Sequence, residues 1–300
     1  MTDAAVLWSI ACGAALIVAA AAAWAAVAVR GSTAVPAAVW AAGAALALAV
    51  ETCWRAAGGL ADPAAAAAAR LAVAALAVCP AMSLLGAKRP QHGAWQFIVA
   101  ALAVVIALPA VSATLVRPGT MPDVGLLWRA FLLVLIAVGW MNFAATRQWP
   151  AASAVAAGQV MLAREFLPFA SAAMDSGTAW LDAVGASLVA AGAACAVLTA
   201  TRDRGRPAAG PTAWIDRPFL ALRETLGAAW ALRIAERFNA VAAERGWPCR
   251  LRFAGLDAAA ADGPWRPAAE RAFRALARRF ASDDWLRRHT GFAPADGPHE

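Results

Sequence analysis

The chain has 300 residues, 62% of them hydrophobic and 15% charged, a mean hydropathy of +0.60 and a formal net charge of +7. An average soluble domain is nearer half apolar and a quarter charged, so an ordinary soluble globular protein is excluded. The basic pI does not indicate nucleic-acid binding, because the charges of the C-terminal part are mixed in sign and no run of five like charges occurs.

Residues 1–200 carry 9 Lys+Arg and 7 Asp+Glu, whereas residues 201–300 carry 17 and 12. The break near residue 200 predicts a transmembrane helical domain at 1–200, a linker at 201–211 and a cytoplasmic α-rich domain at 212–300. A spanning helix needs about 20 mostly apolar residues. Seven segments meet or approach that, at about 5–29, 36–54, 68–87, 95–116, 125–145, 150–170 and 177–200. The first holds no charge between Ala5 and Val29 and lacks the basic start of a signal peptide. The fold class expected is an all-α integral membrane protein with a bundle of about seven helices.

Loop charge sets the expected orientation, because Lys and Arg collect on the cytoplasmic side. One set of alternate loops holds Arg30, Lys88, Arg89, Arg147, Arg202, Arg204 and Arg206, and the other holds only Arg55 and Arg117. That asymmetry places the N-terminus outside and the tail in the cytoplasm of a multi-pass cell-membrane protein. With no Tyr in the chain, Trp alone supplies the interfacial belts, and most of the Trp residues of the spans sit near predicted helix ends.

In the tail, Asp216 is a candidate N-cap for one long helix to about Arg245. Phe219, Leu222, Leu226, Trp230, Ile234, Phe238 and Val241 form its apolar stripe. Cys249, Leu251 and Phe253 alternate with arginines as one short strand, and residues 255–264 read as loop. A second helix is expected at about 267–280, with Asp283 or Asp284 capping a last turn to His289. A lone strand and a small core imply that the tail leans on the membrane domain, the bilayer surface or another subunit.

The candidate site is a set of charges at membrane depth: Glu51, Arg70, Arg129, Arg164, Glu165 and Asp182, all in the outer half under the expected topology. Such residues are costly in a bilayer, by about 2.5–3.5 kcal/mol each, and face the bundle interior or water. Glu165 with Arg129, and Arg164 with Asp182 or Glu51, are the expected pairings. They would form either an outward polar pocket for a small anion or lipid head, or sealed ion pairs. Asn142 and Gln159 are the polar residues expected nearer mid-depth. The five cysteines show no CxxC pairing and read as small buried residues.

Pro90-Gln91 and a seven-helix arrangement with the N-terminus outside resemble the PQ-loop and sugar-exporter families. The resemblance covers one dipeptide in a loop, where those families repeat it within a three-helix unit. No phosphate loop, GxSxG, HExxH or Cys/His metal spacing occurs, and no cofactor is expected. The expected partners are the lipid bilayer and, for the tail, a protein partner or a second copy of the chain. The leading functional reading from sequence is a non-enzymatic scaffold, assembly or sensing protein; the alternative is a transporter or lipid- or anion-binding protein.

Overall fold

The computed structural model describes residues 3–87, 92–169, 179–204, 210–258 and 263–290. The loop cations Lys88 and Arg89, the Pro90-Gln91 dipeptide, Asp175, Arg206 and the chain end beyond residue 290 lie outside the described residues. The chain is mostly helical: α1 Asp3–Ala28, α2 Val35–Ala56, α3 Pro63–Leu85, α4 His92–Val111 (continued by a π-helical turn, Ser112–Val116), α5 Leu126–Ala144, α6 Trp149–Leu162 and α7 Ala179–Arg204. The tail adds α8 Ala213–Leu226, α9 Ala228–Glu244, strands β1 Cys249–Arg252 and β2 Gly255–Ala258, α10 Arg266–Ala277 and α11 Asp283–Thr290.

Among the described residues, six helices are long and apolar enough to cross a membrane: α1 to α5 and α7. Large apolar side chains such as Phe97, Val104, Leu115 and Leu127 point outward with more than half their surface bare. So large an exposed apolar surface is consistent with a membrane protein. The helix expected at 150–170 is shorter: α6 has 14 residues, about 21 Å at 1.5 Å per residue, well below a bilayer core. Pro168 prevents its extension to residue 170. Leu167, directly before that proline, is forced out of the α region to φ −105°, ψ 160°. A 3-10 turn, Arg164–Phe166, fills the gap.

Helix starts follow local chemistry. Asp62 caps α3 by accepting from the Ala64 and Ala65 N–H groups, with Pro63 in the first turn. Prolines also open α2 and α6. Small residues allow close approach between helices. A Cβ on Gly158 of α6 would lie 2.6 Å from the Gly185 carbonyl of α7, and one on Gly192 would lie 2.7 Å from the Ala151 carbonyl. Ala11 and Ala14 of α1 meet Ala183, Ala186 and Ala190 of α7 in the same manner.

The order of packing is a ring. α1 packs on α2, α2 on α3, α3 on α5, α5 on α6, α6 on α7, and α7 returns to α1, while α4 lies outside α3. A disulfide joins Cys12 of α1 to Cys53 of α2, with Cα atoms 5.2 Å apart. This corrects the reading of all five cysteines as unpaired: the antiparallel packing of α1 on α2 brings together two positions 41 residues apart in sequence.

The tail departs from its expected form in four places. The long helix is broken at Gly227, whose φ of 85° and ψ of −178° are open to glycine alone. Asp216 is not the N-cap; it lies within the first turn of α8 and accepts from the Thr212 hydroxyl and the Leu256 N–H. The lone strand has a partner, because β2 pairs antiparallel with β1 where a loop was expected. Asn239 holds the hairpin from α9, donating to the Leu251 carbonyl and accepting its N–H. Neither Asp283 nor Asp284 caps α11; the Ser282 hydroxyl accepts from the Trp285 N–H.

Phe219, Phe238, Phe273 and Trp285 are fully buried in a core shared by the tail helices and by Ala34, Ala37, Leu84 and Ala87 of the bundle. Burying one such side chain contributes roughly 1.5–3 kcal/mol. The tail therefore leans on the bundle. Polar contacts fix it there: Trp230 Nε1 donates to the Leu84 carbonyl at 2.6 Å, Ser282 N–H to Gly31 at 2.7 Å, and Thr33 N–H to Phe280 at 2.8 Å. Asn142 stands two residues from the end of α5, at the tail rather than at mid-depth. Its amide donates to the Leu226 carbonyl and accepts from the Ala229 N–H, satisfying backbone groups that the Gly227 break exposes.

Candidate functional site

Antiparallel packing brings the C-terminal end of α2, the start of α3, the end of α6 and the start of α7 to one end of the ring. Four of the six charges singled out from sequence meet there. Arg70 donates to Glu51 Oε1 from Nη2 at 2.8 Å and from Nε at 3.2 Å. Its Nη1 reaches Asp182 Oδ1 at 3.2 Å, and Arg164 Nη1 reaches the same oxygen at 2.7 Å. Glu51, Arg70, Asp182 and Arg164 are each 5% exposed or less. The expected pairing of Arg164 with Asp182 forms, and the chain Glu51–Arg70–Asp182–Arg164 links four elements.

Arg55 completes the cluster. It hydrogen-bonds Glu51 one helical turn away, donates to the Ala66 carbonyl at 2.9 Å and lies 5.0 Å over the Trp8 ring. Sequence reasoning counted Arg55 only as a loop charge. The available signal was its i,i+4 spacing from Glu51.

Two residues are placed differently. Arg129 is not paired with Glu165; its guanidinium donates to the Val124 carbonyl at 2.8 Å and toward Leu167 at 3.5 Å. Glu165 is 39% exposed at its side chain and lies 3.7 Å from Arg164. The two neighbours were expected to diverge by about 100°, as in an α-helix. They nevertheless come within ion-pair range on the 3-10 turn, Glu165 from the exposed side and Arg164 from the buried one.

The cluster holds three cations, Arg55, Arg70 and Arg164, and two buried carboxylates, with Glu165 at the rim. Arg164 is its least satisfied member. Its Nε and Nη2 are buried without a hydrogen-bond partner, as is Glu51 Oε2. In a low-dielectric setting, mutual attraction offsets the desolvation of such groups only when partners are shared this closely.

Inside the ring lies a cavity of about 860 Å3. Arg70 lines it at the charged end, and α8 of the tail, with Asp216, Arg217 and Glu224, lines it at the other. Between them the wall is mostly small and apolar, with Ala and Val from α1, α2, α3, α6 and α7, together with Leu132 and Ile136 of α5. Gln159 is a polar wall residue, donating to the Ala77 carbonyl at 2.9 Å. Arg70 and Leu84 both line the space, and at 1.5 Å per residue the 14 steps between them span about 21 Å. Ligand pockets commonly measure about 300–1,000 Å3, with apolar walls and a few convergent polar groups.

Nothing in the sequence announced this cavity. Its lining alanines resemble every other alanine of the chain, and only closure of the ring gives them an interior. Among the described residues, no group of three His, Cys, Asp or Glu side chains is placed to hold a metal. Comparison of the chain with protein-family models, with curated proteins and with solved structures finds no match.

Proposed function

We propose that this is a multi-pass cell-membrane protein that binds an elongated amphiphile inside a ring of helices, with the tail as the inner cap. The observation that carries the reading is the 860 Å3 cavity, which is apolar along its length and polar at both ends. A rod-like apolar chain with one polar head matches that distribution. A small hydrophilic solute would leave most of the wall unsolvated and uncontacted.

The charge cluster acts as a plug at the outer end. Arg70 is saturated by Glu51 and Asp182, so it closes the cavity rather than offering an open anion site. The scaffold reading drew on the amphipathic stripe of the tail. Phe219, Leu222, Leu226, Trp230 and Ile234 are buried in the chain's own core, so that stripe needs no outside partner.

In this proposal α6 and its 3-10 turn form the seventh membrane element, and the N-terminus lies outside. Two observations support the orientation. The loops on the tail side hold seven basic residues against two. The Cys12–Cys53 disulfide lies toward the opposite side, and disulfides persist in oxidising compartments.

The test fills the cavity from its wall. Ala77→Phe and Ala196→Phe each place a ring inside the space that both alanines line. The wild-type protein, purified in mild detergent, is expected to retain a stoichiometric lipid by native mass spectrometry, and each variant is expected to lose it. Equal retention by folded variants would overturn the reading.

A further inference from the structure

We infer that the tail end of the cavity receives the head of an anionic lipid, a phosphate ester that carries a free hydroxyl. This deepens the amphiphile reading and rests on it.

The two ends of the cavity offer different chemistry. At the charged end, every contact made by Arg70 goes to a carboxylate of its own cluster, and further acids stand nearby. Arg70 therefore has no donor to spare, and Arg164, whose Nε and Nη2 lack hydrogen-bond partners, does not line the cavity. At the tail end, Arg217 of α8 lines the cavity half-buried. Among the described residues, no carboxylate lies within ion-pair distance of it.

The acids beside Arg217 are occupied. Asp216 accepts from the Thr212 hydroxyl and from the Leu256 N–H at 2.6 Å. Glu224 accepts from Arg223 Nε and Nη2 at 2.9 and 2.7 Å and from the Arg147 N–H at 2.9 Å. Arg147 lines the same end of the cavity. Arg217 thus brings to this mouth a charge that no ion pair neutralises among the described residues, and a planar guanidinium matches a phosphate.

A second observation specifies the head further. Gln148, between Arg147 and the start of α6, also lines the cavity, and its Oε1 is buried without a donor. A buried acceptor with no partner costs about 1–3 kcal/mol and is uncommon in native structures. A hydroxyl on the head would supply the donor. Trp24 and Trp140 line the same region, and tryptophan favours the depth at which lipid heads meet acyl chains.

The experiment uses the full chain in mild detergent, titrated with dioleoyl phosphatidylglycerol, dioleoyl phosphatidic acid, dioleoyl phosphatidylcholine or glycerol 3-phosphate, with occupancy read by native mass spectrometry. Phosphatidylglycerol is expected to bind one per chain. Arg217→Gln is expected to weaken it by about ten- to a hundredfold, the loss of one hydrogen-bonded charge. Gln148→Met is expected to weaken phosphatidylglycerol but not phosphatidic acid, which lacks the glycerol hydroxyls. Glycerol 3-phosphate, with no chain, is expected not to bind.

If phosphatidylcholine binds as well as phosphatidylglycerol and Arg217→Gln changes nothing, while Ala77→Phe still abolishes both, the head assignment is overturned and the cavity reading stands. If no lipid is retained at all, the cavity reading itself fails. Binding of glycerol 3-phosphate equal to that of the lipid would make the mouth a free-phosphate site and would also overturn the inference. Arg217 is the fifth residue of α8 and, among the described residues, makes no ion pair, so its substitution tests binding without breaking a salt bridge of the fold.

Discussion

Asp182→Asn removes one of the two buried carboxylates in the charge cluster, and the cluster's asymmetry makes its cost predictable. Asp182 Oδ1 holds Arg164 at 2.7 Å and Arg70 at 3.2 Å. Without that charge, Arg55, Arg70 and Arg164 face only Glu51, with Glu165 at the rim 3.7 Å from Arg164. Removing one partner of a buried pair leaves an uncompensated charge and costs about 3–5 kcal/mol, a large share of a typical folding free energy of about 5–15 kcal/mol. Arg164→Gln is different. It leaves two cations with two carboxylates and removes two guanidinium nitrogens that are buried without hydrogen-bond partners. Its expected cost is about 2 kcal/mol, the net worth of the two hydrogen bonds that Arg164 Nη1 gives to Asp182 and to the Met161 carbonyl. The assay is unfolding by added sodium dodecyl sulfate in mixed micelles, followed by tryptophan fluorescence. A cost below about 1 kcal/mol for Asp182→Asn, or equal costs for the two variants, would mean that water reaches the cluster and would refute the sealed-plug argument.

Three further outcomes are expected. Asn142→Ala strands the Leu226 carbonyl and the Ala229 N–H at the helix break, for a loss of about 1–3 kcal/mol; Gly227→Ala adds a strained backbone and a collision with the Asn142 amide. Both should speed proteolysis within the tail, and tail cleavage at the wild-type rate would refute the docking role of this contact. Reducing the Cys12–Cys53 bond, which closes a 41-residue separation, should destabilise the bundle by about 2–4 kcal/mol, and Cys12→Ser should be insensitive to reductant. On the tail surface, the Arg278 hydrogen bond holds the Asp283 carboxyl below its ordinary range. Its stabilisation is therefore present above the unfolded value of about 4 and is lost as pH falls through the folded value. Asp283→Asn should cost less than about 1 kcal/mol at neutral pH, since the pair is exposed, and the difference from wild type should vanish in acid; a constant difference would remove the ion pair from consideration.

What was legible in the sequence tracks what local physics controls. The long apolar runs of α1 to α5 and α7 need only composition to be seen. Glu51, Arg70, Arg164 and Asp182 stood out because charge at membrane depth is costly wherever it faces. The break at Gly227 was hidden because Leu222, Leu226 and Trp230 keep four-residue spacing across it, so the apolar stripe reads as continuous. Strand β2 was hidden because Gly255-Leu-Asp-Ala has no alternation of its own and takes its conformation from β1 and from Asp216. The expected pair of Arg129 and Glu165 does not form, because α6 ends at Leu162 and Glu165 lies on the 3-10 turn beyond it, while Arg129 bonds to backbone carbonyls. The disulfide and the cavity depend on which helices are neighbours in space, and Ala-rich segments carry too little side-chain identity to specify that.

The ring closes between its first and last members, and this bears on how the protein is made. α1 leaves the ribosome first, yet its face of Ala11 and Ala14 has no partner until α7, some 170 residues later, has been synthesised. Until then the ring is open and the cavity lacks one of its walls. The tail emerges after every helix of the ring, and the surfaces it needs, Gly31, Thr33, Leu84 and Asn142, already belong to earlier segments. Its docking therefore follows closure of the ring. A nascent chain halted before residue 179 would have only an open arc of helices where the finished protein has a vessel.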